Sequence, residues 1–215
     1  MINDTFKHKG LRKQLVDGIK KKGINDENVL NAINKVPRHI FIDSSFTEIA
    51  YSDTPFPIGC GQTISQPYTV AFQTSLLEVK KGDKILEIGT GCGYQACILA
   101  EMGAKVFTIE RIRELYIKTK NFLSEMKYSI RVFYGDGYKG LPTFAPFDKI
   151  LVTAAAPVVP NELLKQLKIN GRLVIPMDVE PGLQEMTTID RINENDFDTK
   201  KHGYFRFVPM VKNKE

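Results

Sequence analysis

The residues with the strongest claim to chemistry are Gly89, Gly91 and Gly93, which follow the apolar run Lys84–Ile88 and open a helical pattern at Tyr94. Glycines at such a strand-to-helix turn permit tight backbone geometry and let a ligand approach the main chain closely. In a dinucleotide fingerprint the third glycine would fall at position 94, which is Tyr94. Glu87 stands two residues before the loop, and a carboxylate there suits a cationic group better than a pyrophosphate, which needs free helix N–H groups. Glu110 ends the next apolar run, where an acid accepts hydrogen bonds from ribose hydroxyls. Asp136, inside Gly135-Asp136-Gly137, follows a third run. Ligands of open α/β sheets bind along that edge.

A ligand with a cationic end, a ribose and a base would use three such acids, and S-adenosyl-L-methionine has those three parts. Taken singly, Glu110 and Asp136 read equally well as helix or turn caps. Their succession after three consecutive strands is what argues for a cofactor. The remaining reactive residue types are scattered. Cys60, Cys92 and Cys97 are odd in number and lack zinc spacing, which fits apolar fillers in a reducing compartment. His8, His39 and His202 lie far apart in sequence, and no metal is expected.

The elements that must carry these residues alternate. Two amphipathic helices are expected first, over 6–22 (Leu11, Leu15, Ile19) and from Asn25-Asp26 to a stop at Pro37 (Val29, Ile33, Val36). Between Ala50 and Pro67 stand three Pro, two Gly and four Ser or Thr, an irregular segment of the kind that forms lids and binding loops. Then come helix 68–79, strand 84–88, helix 94–102, strand 105–109, helix 112–126 and strand 130–134. Strand 148–153, helix 161–167 and strand 172–175 follow, with strand-like runs at 184–192 and 202–211. Strands alternating with helices predict an α/β, Rossmann-like doubly wound sheet. It should be mostly parallel, with antiparallel C-terminal strands and an N-terminal helical cap. The expected organisation is one domain: cap 1–49, active-site and substrate loop 50–67, cofactor-binding core 68–180 and C-terminal strands 181–215.

The chain has 215 residues, and Lys and Arg exceed Asp and Glu by five. Residues 1–22 hold seven basic and two acidic side chains, which leaves 23 of each sign elsewhere. That balance argues against a nucleic-acid partner. Lys20-Lys21-Lys22 reads as the cationic end of the first helix. No apolar run approaches a membrane span, and the first residues lack the apolar core of a signal peptide, so a soluble, cytoplasmic protein without a membrane partner is expected.

Longer motifs carry a resemblance. They are Val36-Pro-Arg-His39, Ala50-Tyr-Ser-Asp-Thr-Pro-Phe-Pro-Ile-Gly59, Gly61-Gln-Thr-Ile-Ser-Gln-Pro-Tyr68 and Leu86-Glu-Ile-Gly-Thr-Gly-Cys-Gly-Tyr-Gln95. Gly135-Asp-Gly-Tyr-Lys-Gly-Leu-Pro142, Val152-Thr-Ala-Ala-Ala-Pro157, Gly171-Arg-Leu-Val-Ile-Pro176 and Val208-Pro-Met210 continue the series. In these the chain resembles the protein-L-isoaspartate O-methyltransferases, over most of residues 36–211. The glycine loop alone would say only methyltransferase; the 61–68 motif is specific to that family. The resemblance implies methyl transfer from S-adenosyl-L-methionine to the free carboxylate of isoaspartyl residues in damaged proteins and peptides, leading through a succinimide to repair. It implies no metal, and a monomer is expected. It casts Ser65 as the active-site serine, with Gln62, Thr63, Ile64 and Ser65 closing over the cofactor. Glu87, Gly89, Thr90, Gly91, Gly93, Glu110, Asp136 and Gly137 would bind the cofactor, and Tyr51, Pro57, Ile58, Ser65 and Val208 the substrate. Departures fall at Asp178 and Met210. The competing functions are methylation of another carboxylate acceptor and cofactor binding without turnover.

The implied chemistry needs few groups. A carboxylate of pKa ~4 is already ionised at neutral pH and requires no base. Positioning and exclusion of water remain to be supplied, since an anion and a sulfonium neutralise each other as they react. Ser65 then donates a hydrogen bond to the substrate carboxylate, or it caps the helix starting near Pro67.

Overall fold

The structure is a computed structural model and describes residues 4–126 and 128–215. Helix α1 (Phe6–Lys21) begins at Thr5, whose hydroxyl accepts the His8 N–H while the His8 ring accepts the Thr5 N–H, a reciprocal cap. Its last turn carries Lys20 and Lys21, as the charge pattern predicts. Helix α2 (Glu27–Lys35) starts on Asp26, which accepts the N–H groups of Asn28 and Val29. Two 3-10 turns follow, Arg38–Phe41 and Ser44–Ile49.

The segment expected to be irregular contains a hairpin, β1 (Phe56–Gly59) paired antiparallel with β2 (Gln62–Ile64). Gly59, Cys60 and Gly61 all adopt positive φ, which makes the tight reversal possible. Next come α3 (Pro67–Leu77), β3 (Lys84–Ile88), α4 (Tyr94–Glu101), β4 (Lys105–Glu110), α5 (Arg113–Ser124) and β5 (Ile130–Tyr134). The chain ends with β6 (Phe147–Val152), α6 (Asn161–Gln166), β7 (Leu167–Glu180), β8 (Leu183–Arg191) and β9 (Phe197–Phe205).

The main sheet has the order β5-β4-β3-β6-β7-β8-β9. Strands β3 to β7 pair in parallel, whereas β7-β8 and β8-β9 are antiparallel, so the expected fold class holds. Strand order reverses at β3, between β4 and β6, and a crevice opens at such a switch point beyond the strands' carboxyl ends. Central strands are covered on both faces and therefore read as continuous apolar runs. Leu86, Ile88, Ile150 and Val152 face one layer, with α6; Ile85, Val106, Leu151 and Val174 face the other. Helices α1 and α2 cover α3 and α4 through Leu15, Ile19, Val29 and Ile33.

The last strand differs from expectation. It ends at Phe205, six residues before the predicted limit at 211. Buried Gln184 accepts the Phe207 N–H at 2.8 Å and turns the chain off the sheet edge. The tail then pairs beyond β6: Ala155 N–H reaches Val208 O at 2.8 Å and Met210 N–H reaches Ala155 O at 2.7 Å. This detour lays residues 208–211 across the switch point.

Candidate active site

A cavity lies at that switch point, walled by the glycine loop, the ends of β4 and β6, strand β2 and the tail. Gln62, Thr63, Ile64, Ser65, Gly89, Thr90, Gly91, Glu110, Gly137 and Val208 line it, ten of the residues predicted for the site. Gly89 sits at φ +94°, and a Cβ there would stand 2.5 Å from the Thr153 hydroxyl. Thr153 holds the loop by donating to the carbonyls of Ile88 and Gly89, at 2.9 and 2.8 Å. A Cβ on Gly137 would lie 2.4 Å from Ile88, so the wall at that point is bare backbone.

Glu110 is buried and both its oxygens accept backbone N–H groups, Gly91 and Ile112, each at 2.9 Å. It is a cap, and it also lines the cavity. A carboxylate has about four lone-pair sites, so two remain for ligand hydroxyls. The loop backbone, Glu110 and the small wall at Gly137 suit the amine, ribose and base of S-adenosyl-L-methionine, and the one cation lining the cavity among the described residues, Arg111, is paired with Glu215 at 3.0 Å.

Ser65 stands between β2 and α3. The helix N-cap is Gln66, and the Tyr68 N–H is taken by Asp53 Oδ1 at 2.7 Å, so the serine hydroxyl is not used as a cap. A second groove runs along Pro55, Gln66, Tyr68 and the aromatic stretch 204–207. Thr63, Ser65, Thr153 and Val208 line both the groove and the first cavity.

Other predicted residues lie elsewhere. Gly93 packs against α5, where a Cβ would meet Leu123 at 2.9 Å. Asp136 accepts the N–H groups of Tyr138 and Asn213, and it lines a neighbouring hollow with Asn213 and Lys214. Tyr51 is buried, its hydroxyl 2.7 Å from His39 Nδ1 and 3.1 Å from Arg12 Nη1; Pro57 is exposed on β1. Ile58 leans on the back of Gly91. None of these five lines the cavity or the groove. Asp4, His8 and His39 bring donor atoms within 4.8 Å of one another, but Arg12 already holds both Asp4 oxygens at 3.0 Å. A guanidinium thus stands where a cation would compensate the carboxylate. Sequence reasoning gave no role to Thr153 or to Pro209–Val211, although an edge rule applied to one more strand end reaches Thr153.

Glu87 is the largest departure. It lies inside the sheet, fully buried, with both oxygens lacking a hydrogen-bond partner among the described residues, and it does not reach the cavity. Burial, reinforced by the Glu110 charge and opposed by the Thr108 hydroxyl, pushes its carboxyl up to about 8. Below the unfolded pKa near ~4.3, both states hold the proton and Glu87 contributes no pH dependence. Above that value only the unfolded chain ionises, so stability falls as pH rises until the folded group titrates near 8. Glu87→Gln removes this dependence. Its melting temperature relative to the parent should therefore climb between pH 5 and pH 8, by an amount reflecting a few kcal/mol. A difference constant across that window would contradict a protonated Glu87.

A family model described as protein-L-isoaspartate(D-aspartate) O-methyltransferase matches residues 10–215. The protein-L-isoaspartate O-methyltransferase of Christiangramia forsetii is 57% identical over 99% of this chain and 100% of its own length. That of Flavobacterium johnsoniae is 56% identical over the same shares. A solved protein-L-isoaspartate O-methyltransferase superposes with a TM-score of 0.85 at 27% identity, over 94% of this chain and 66% of the other. A beta-aspartate methyltransferase from Plasmodium falciparum, in complex with S-adenosyl-L-homocysteine, gives 0.82 at 28% identity over 94% and 99%. The chain belongs to the protein-L-isoaspartate(D-aspartate) O-methyltransferase family.

Proposed function

We propose that the cavity holds S-adenosyl-L-methionine, the adjoining groove holds an isoaspartyl peptide, and the carboxylate is methylated where the two meet. The observation that carries this reading is the set of four residues, Thr63, Ser65, Thr153 and Val208, common to both. S-adenosyl-L-methionine supplies an electrophilic methyl group. The chain's own residues position and exclude. The carbonyl-bound Thr153 hydroxyl fixes the glycine loop. Glu110 accepts ribose hydroxyls with the lone pairs its caps leave free. Gln62–Ile64 form one wall and keep water out, which favours neutralisation of the reacting charges. Ser65 donates a hydrogen bond that aims the carboxylate. Glu87 and Asp136 support this arrangement from behind, and Val208 and the aromatic stretch receive the peptide.

The reading extends to one methyltransferase domain acting as a cytoplasmic monomer on damaged proteins. The packing of α1 and α2 on α3 and α4 supports the single domain. No described helix is long and apolar enough to cross a membrane. The test is methyl transfer from labelled S-adenosyl-L-methionine to one peptide in isoaspartyl and aspartyl forms. Base-labile label on the isoaspartyl form alone is expected. Equal labelling of both forms, or binding without transfer, would refute the assignment.

A further inference from the structure

Arg38 opens the first 3-10 turn and is fully buried. Among the described residues its hydrogen bonds go to backbone carbonyls and to no carboxylate, and its Nε and Nη1 have no hydrogen-bond partner. An unpaired cation in an interior is an unfavourable placement that a methionine of similar length would avoid. Its Nη2, however, donates twice, to Ser65 O at 2.8 Å and to Thr54 O at 3.2 Å. Thr54 precedes β1 and Ser65 follows β2, so one nitrogen joins both feet of the hairpin. The guanidinium carbon lies 5.0 Å from the centre of the Tyr94 ring. Tyr94 starts the helix after the glycine loop and lines the cofactor cavity. A planar fork reaching two carbonyls while resting on a ring is a task to which Lys is poorly matched.

We propose that Arg38 is a positioning residue, the clasp that fixes the hairpin carrying Gln62–Ser65 against the cofactor side of the site. This rests on the reading of Ser65 given above. Asp53, one residue before Thr54, ties the first foot to α3 through the Tyr68 N–H, but only Arg38 bonds both feet at once. Without the clasp the Ser65 foot would sample other positions, and small misplacements of reacting groups are costly.

The test is Arg38→Met, assayed with S-adenosyl-L-methionine and an isoaspartyl peptide alongside hydrogen exchange. Exchange over residues 54–65 should quicken about tenfold while β3 and β4 stay protected. The peptide KM should rise about tenfold as kcat falls, whereas mere loss of folded enzyme would lower kcat alone. Arg38→Lys, which keeps the buried charge, should fall between the two. Unchanged exchange in a folded variant, uniform loosening of the whole sheet, or a looser hairpin with parental kinetics each overturns the proposal. Ser65→Ala separates the two readings: it should slow turnover with parental hairpin exchange. If it does not, the Ser65 role fails while the clasp is still decided by Arg38→Met. Should both Arg38 variants fail to fold, wild-type enzyme with carbonyl-labelled Ser65 decides, because coupling from a guanidinium nitrogen to that carbon is expected and its absence refutes the clasp.

Discussion

Ser65→Ala is expected to slow methyl transfer to an isoaspartyl peptide by roughly 10²-fold, about 2.7 kcal/mol of barrier, while S-adenosyl-L-methionine binds within about threefold of the parent. The expectation depends on what the hydroxyl does not do. A serine before Pro67 would ordinarily cap the helix, and its loss would then destabilise by ~1 kcal/mol. Here Gln66 occupies the cap position and Asp53 serves the Tyr68 N–H from the loop, so α3 loses nothing. What remains is a hydroxyl on the wall common to the cavity and the groove. Asp53→Ala is the control for the helix terminus, lowering the melting temperature by loss of the Tyr68 N–H acceptor while the Ser65 hydroxyl is kept. Single-turnover rates and calorimetric binding measure the pair. Parental rates in Ser65→Ala would leave the serine as filler, and a large loss of cofactor affinity would move its role from carboxylate to cofactor.

The parallel core was readable because its signals are local. Lys84–Ile88 and Ile130–Tyr134 form the predicted strands to the residue, and the apolar runs of β3, β4 and β6 announce burial on both faces. The hairpin was also readable in principle. Phe56–Ile58 and Gln62–Ile64 are short runs separated by Gly59-Cys60-Gly61, a turn signal hidden among prolines and serines. The tail was not readable. A β-prone run through 202–211 gives no hint that buried Gln184 will divert it or that Ala155, far away in sequence, will pair with it. Such redirection belongs to tertiary contacts, which override propensity.

Site residues divide along the same line. Gly89, Gly91 and Gly137 line the cavity, as residue type and position predict, whereas Gly93 packs against α5. Carboxylates were placed less well. An acid near a strand end is recognisable in the sequence, but whether it reaches the crevice depends on where its side chain points within the strand, and Glu87 is buried in the sheet, away from the cavity lining. His8 and His39, distant in sequence, meet with ring centres 3.9 Å apart, a closeness no spacing rule reveals.

Glu110 is the acid that caps two backbone N–H groups and also lines the cavity, and Glu110→Ala should weaken S-adenosyl-L-methionine binding by about 10²-fold. Charge-assisted hydrogen bonds contribute ~1.5–3 kcal/mol each, so losing one or two to ribose hydroxyls suffices. The same change strands the Gly91 and Ile112 N–H groups, each now 2.9 Å from a carboxylate oxygen, and should lower stability by ~1–3 kcal/mol. The two losses separate by measurement. Asp136→Ala removes a carboxylate that caps the Tyr138 and Asn213 N–H groups without lining the cavity, so it should cost stability with a much smaller loss of affinity. Equal losses of affinity in both variants would mean that loop disorder explains the Glu110 effect. An unaltered dissociation constant in Glu110→Ala, with a lowered melting temperature, would reduce Glu110 to its two caps. Affinity lost in Glu110→Ala and kept in Asp136→Ala puts the ribose at β4's end, where the carboxylate's free lone pairs meet the cavity.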